Sequence, residues 1–83
     1  MKKKDIEVFL TNYLIEKEGK GIKKTLFKID LLESGIIDSL DLVTISIEIE
    51  KHFKIKINPN SSKTLKNFSN FNKMINYIFS EKE

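Results

Sequence analysis

An 83-residue chain with a formal charge of +3 and no cysteine has room for one domain and one core, because a chain this short buries only ~60–65% of the surface it exposes when unfolded. Disulfides and thiolate metal sites are excluded, and the chain is compatible with a reducing compartment. No apolar run approaches the ~18 residues that span a bilayer, and the start, Met1-Lys2-Lys3-Lys4-Asp5-Ile6-Glu7, lacks the apolar stretch of a signal peptide. A soluble, cytoplasmic protein is expected.

The basic balance invites a nucleic-acid reading, since clustered cations are the footprint of phosphate-backbone binding. All fifteen basic residues are Lys, however, and Arg, the preferred tool for bidentate contacts to bases and phosphates, is missing. Thirteen Ile, seven Asn and no Ala accompany them, the usage that AT-rich codons produce, so the charge reflects base composition as readily as a ligand. Its distribution says more. Residues 30–50 hold Asp30, Glu33, Asp38, Asp41, Glu48 and Glu50 and no Lys at all. A negative band within a positive body would steer basic partners; the plainer alternative is a solvated face.

In chain order, Ile6, Phe9, Leu10, Tyr13 and Leu14 recur at steps of three and four, one apolar face of a helix from about Lys4 to Glu18. Asp5 and Glu7 suit its start, Lys17 its end, and Gly19 the turn that stops it. Between Gly21 and Ile37, apolar residues follow neither helical nor strand spacing. They predict a long loop packed onto the core, with a short helical turn near Lys23 to Lys28 and Gly35 allowing a tight approach into the next helix.

That next helix runs from Ser39 to about Phe53. Asp38 supplies a carboxylate cap and Asp41, three residues on, a second acid in the first turn. With Asp38 as cap, Ser39 becomes the first helical residue and its hydroxyl is free, at a place where backbone N–H groups and the helix dipole favour a phosphoester. Spacing alone leaves open that Ser39 is itself the cap. Steps of 100° put Leu42, Ile45, Ile49 and Phe53 on one stripe, the expected core face. Leu40, Val43 and Ile47 form a second stripe on the side of Ser39. Either the helix is covered all round or this second stripe is an exposed docking strip.

Lys54-Ile55-Lys56-Ile57 alternates like a strand but has no partner run, so it reads as an extended connection with Ile55 or Ile57 pinned into the core. Ser61 or Ser62 can cap a short helix to about Lys66. Ser69 or Asn70 caps a last helix whose Phe71, Met74, Ile75, Ile78 and Phe79 face inward. Residues 1–83 thus form a single all-α domain, a small bundle of three main helices plus one short helix, with a long loop between the first and second.

No catalytic centre can be assembled. A nucleophilic Ser39 needs a base within hydrogen-bond reach, and the only histidine, His52, lies thirteen residues along the same helix, ~20 Å away at 1.5 Å per residue. His52 reads as a partly exposed helix-end residue. Metal-ligand clusters and a phosphate-binding glycine loop are also missing.

Asp38-Ser39-Leu40 at the start of the second helix, with Asp41, Val43, Glu50, Phe53, Ile57 and Pro59 following in order, resembles the acyl carrier protein family. Leu31-Leu32-Glu33-Ser34-Gly35-Ile36-Ile37 looks like that family's loop before the attachment site, and Ile75-Asn76-Tyr77-Ile78 like its last helix. The resemblance covers about Leu26 to Ile78. It implies a non-enzymatic carrier whose Ser39, with Asp38 assisting, receives a 4′-phosphopantetheine arm from coenzyme A through a phosphopantetheinyl transferase that binds its own Mg²⁺. Acyl or aminoacyl groups would ride as thioesters on that arm, which supplies the reactive thiol that a chain without cysteine lacks. Leu40, Asp41, Val43, Ile47 and Glu50 would meet the enzymes that load and accept cargo, in a fatty-acid-like or specialised pathway of lipid metabolism.

The departures are Thr44 and Lys51, where fatty-acid carriers tend to have carboxylates, and a pre-site loop closer to D-alanyl and peptidyl carriers. Both favour a dedicated pathway. A monomer that neither enters membranes nor binds nucleic acid is expected. The alternative is a small helical interaction or nucleic-acid-binding module without a prosthetic group, contacting its ligand through the Lys-rich ends.

Overall fold

The computed structural model describes residues 1–82. Its order is helix α1 (Lys3–Glu18), a 3₁₀ turn over Lys20–Lys24, helix α2 (Ser39–Phe53), short helix α3 (Ser62–Asn67) and helix α4 (Phe71–Ser80), with no strand among the described residues. The expected all-α bundle of three main helices and one short one is therefore what forms. The short helical turn, Lys20–Lys24, begins ahead of the expected Lys23 to Lys28 region and overlaps its start.

Each helix begins where a side chain can take up an unpaired N–H. Asp5 accepts the Lys2 N–H at 2.8 Å, Asp38 caps α2, Ser61 accepts the Thr64 N–H at 3.1 Å, and Asn70 accepts the Lys73 N–H at 3.0 Å. Gly19 ends α1 at φ +91°, its N–H bonded to the Ile15 carbonyl at 2.7 Å. Lys54 ends α2 in the left-handed conformation, φ +60°, where glycine is the usual occupant.

Ile6, Leu10 and Leu14 of α1, Leu42, Ile45 and Ile49 of α2, and Phe71, Met74, Ile75 and Ile78 of α4 make one buried core with Phe68. Phe9, Tyr13, Phe53 and Phe79, expected on inward faces, are only partly buried, because each lies at the margin of its stripe. Phe9 and Phe53 instead close the edge between α1 and α2, ring edge to ring face, with centroids 5.7 Å apart. Tyr77 is buried although its spacing did not single it out. Its hydroxyl lies 2.9 Å from that of fully buried Thr64, which also bonds Ser61, and this chain of hydroxyls fastens α3 to α4.

The long loop is packed down as expected: Leu26, Leu31 and Ile37 are buried, with Ile29, Leu32 and Ile36 partly so. Asp30 holds its turn by accepting the N–H groups of Leu32 and Glu33. The Leu31 N–H reaches the Ser69 carbonyl at 2.7 Å, and the Ile37 N–H returns to the Leu31 carbonyl at 2.9 Å. These two bonds set the approach to Ser39 against the corner between α3 and α4. Gly35 serves differently from expectation. A Cβ there would meet nothing within 4 Å, so close approach is not what it provides; its φ of +83° is. In the extended link after α2, both Ile55 and Ile57 are buried.

Candidate functional site

The start of α2 is built on a reciprocal pair. Asp38 Oδ1 accepts the Asp41 N–H at 2.9 Å while Asp41 Oδ2 accepts the Asp38 N–H at 3.0 Å, a capping box made from two aspartates. Asp38 is the cap, so the alternative in which Ser39 fills that role does not apply. Ser39 opens the helix, is exposed, and its hydroxyl enters no hydrogen bond among the described residues. An exposed hydroxyl with no internal partner, at a helix entrance whose dipole favours negative charge, fits a phosphoester sterically and electrostatically.

Asp41 differs from the docking role expected of it. Its side chain is turned inward, and the residue is only 8% exposed. Besides the Asp38 N–H it accepts the Tyr13 hydroxyl at 2.8 Å and lies 3.2 Å from Lys17 Nζ. Burial alone would raise the Asp41 pKa, but the Asp38 N–H, the Tyr13 hydroxyl and Lys17 outweigh it and hold the carboxyl below its ordinary value. Burial, then the bond to Asp41, raises the Tyr13 phenol well above its usual range. The hydrogen bond to Asp41 raises the Lys17 ammonium as well. This cluster, which ties α1 to the first turn of α2, went unread in the sequence, where Tyr13 counted as an apolar residue and Lys17 as a helix-end cation. The available signal was that Tyr13 and Lys17 stand four apart, on one face of α1.

Beside Ser39 the second stripe of α2 is uncovered. Leu40 is 74% exposed, Val43 39% and Ile47 53%, while Leu42, Ile45 and Ile49 on the other stripe are at most 3% exposed. Of the two options left by the sequence, the exposed strip is the one realised. Glu50 is exposed alongside it. His52 sits at the far end of α2, its ring tilted at 49° against that of Phe9 and its Nε2 3.3 Å from Glu48, remote from Ser39. No group of three or more metal-ligating side chains occurs among the described residues.

The helical bundle leaves a serine exposed at a helix start, beside an uncovered apolar ridge. The family model for the phosphopantetheine attachment site matches residues 11–78, well over half of the chain, and the chain belongs to that family. It is a phosphopantetheine carrier, and carrier domains of this kind are non-catalytic partners of transferases and acyl-handling enzymes. The match begins at residue 11, well before Leu26, and so takes in Tyr13 and Lys17. No curated protein and no solved structure matches the chain.

Proposed function

We propose that Ser39 is the attachment point of the 4′-phosphopantetheine arm, and that the chain carries acyl or aminoacyl groups for a dedicated biosynthetic pathway. The observation that carries this reading is the exposed Ser39 hydroxyl, preceded by the Asp38 cap and without a hydrogen-bond partner among the described residues, inside the matched segment. A phosphopantetheinyl transferase would direct the Ser39 oxygen onto the β-phosphorus of coenzyme A. The new P–O bond replaces the anhydride bond, the serine proton is lost, and adenosine 3′,5′-bisphosphate leaves.

Asp38 holds the helix start in place and stands next to the reacting hydroxyl, where it would assist the transferase and its Mg²⁺. The first-turn N–H groups of α2 favour the phosphodiester charge. Once attached, the arm supplies a thiol on which cargo is held as a thioester. Leu40, Val43, Ile47 and Glu50 present the modified serine to loading and accepting enzymes; Asp41 supports the site from inside. A monomer acting in the cytoplasm fits this role, and among the described residues no helix is long and apolar enough to cross a membrane. Thr44 and Lys51, in place of carboxylates, favour a specialised pathway, a D-alanyl or peptidyl type of carrier included, over general fatty-acid synthesis.

Intact-mass analysis after incubation with coenzyme A and a broad-specificity transferase tests the assignment. One arm should be added to the wild-type chain and none to Ser39→Ala, whose helix content and melting temperature stay as in wild type. Arm addition to Ser39→Ala would overturn the assignment.

A further inference from the structure

The apolar ridge on α2 has ends of opposite charge. Asp38 and Glu33 are exposed at the Ser39 end, and residues 30–50 contain no Lys. One helical step beyond Ile47 the ridge meets Lys51, and there Ile47, Glu50, Lys51, Lys54 and Lys56 line a concavity of about 430 Å³. Three lysines and one glutamate thus share this lining with Ile47. Among the described residues Lys51 has a single ion-pair partner, Glu48 at 3.9 Å, and its side chain is 69% exposed, so that contact leaves it available to a partner.

We propose that this concavity receives an acidic segment with a central apolar side chain, borne by the enzymes that load or unload the carrier. The inference rests on the carrier reading for the identity of those enzymes, and adds to it the chemistry of their surface. Docking is polarised along α2: a basic partner surface lies beside Ser39, and an acidic one beside Lys51, Lys54 and Lys56. An apolar side chain seats on Ile47 between them. A lipid headgroup layer or a nucleic acid presents one sign of charge throughout, and Asp38, Glu33 and Glu50 along the same ridge would repel it. A protein segment can change sign along its length, which is what this ridge requires.

The test uses the ¹⁵N-labelled chain and a synthetic amphipathic peptide with a Leu and Phe centre flanked by Glu on one side and Lys on the other. Saturable amide shifts are expected at Ile47, Glu50, Lys51, Lys54 and Lys56, weakening at high salt. Binding should fall about tenfold in Lys51→Glu/Lys56→Glu, as expected for reversing two exposed charges at a contact, and should fall also in Ile47→Ala, which keeps the charge. Lys66→Glu/Lys73→Glu carries the same change of net charge on α3 and α4 and should bind as wild type. A preserved amide spectrum shows that each variant is folded.

Equal loss in both double variants would reduce the effect to bulk charge and overturn the proposal. So would equal binding of a peptide with Lys in place of each Glu, or larger shifts at the same residues with phosphatidylglycerol vesicles or duplex DNA. Arm addition is scored by mass on the same samples. Absence of peptide binding by the wild-type chain with intact arm addition removes the docking inference alone, and peptide binding by a wild-type chain that accepts no arm removes the Ser39 assignment alone.

Discussion

Asp41 holds three partners drawn from two helices. Its carboxyl sits below its ordinary value, so its contribution to stability is fully present above the unfolded-chain value of about 3.9 and is lost as pH falls through the lower folded value. Lys17, raised by the same contact, contributes fully below its unfolded value and loses that contribution only as pH rises through the folded one. The cluster is therefore intact across the neutral range and fails first in acid. Asp41→Asn should cost ~1–3 kcal/mol in urea unfolding at pH 7, the range for disrupting a buried hydrogen-bonded group, and should flatten the acid limb of the stability profile. A variant with the wild-type acid limb would show that Asp41 is not what titrates there.

Within α2, the span and the division into two stripes were legible, because a 3.6-residue period fixes which side chains share a face whatever surrounds them; the choice between Asp38 and Ser39 as cap was left open by spacing. Whether the second stripe is covered was not legible, since that depends on how α1, α4 and the loop close around the helix. The inward turn of Asp41 escaped for the same reason: an acid in the first turn suits the dipole equally well inside or out, and only the position of Tyr13 decides. The end of α2 also defied local rules. Lys54 adopts φ +60° where a side chain is disfavoured by ~1–2 kcal/mol, offset in part by the backbone entropy that glycine loses on folding. Lys54→Gly should therefore raise stability by ~0.5–1 kcal/mol, read as a higher urea midpoint with unchanged slope; a lower midpoint would mean that the Lys54 side chain itself stabilises the fold.

Across the molecule, burial divides sharply. The core gathers side chains from α1, α2, α4 and the loop, every buried side-chain polar atom among the described residues has a partner, and the uncovered apolar surface beside Ser39 lies on the opposite stripe of α2 from the core. The packed loop was legible as to burial, because so many apolar residues in a short chain must be covered. Its path was not, since it is drawn by backbone bonds such as that from Leu31 to Ser69, which no side-chain pattern encodes.

That bond couples two regions distant in sequence. The amide of Leu31 can exchange its hydrogen only when the corner ahead of α4 lets go, so the rate of that one amide reports on the far end of the chain. Ile78→Ala, a cavity deep in α4 expected to cost ~2–5 kcal/mol, should then speed deuterium uptake at Leu31 beyond its effect at the outer turns of α1. Unaltered uptake at Leu31 would separate the two regions. If they open together, loosening of the last helix is felt first by the strap that leads into Ser39, and the geometry offered to a transferase depends on how tightly the opposite end of the protein is closed.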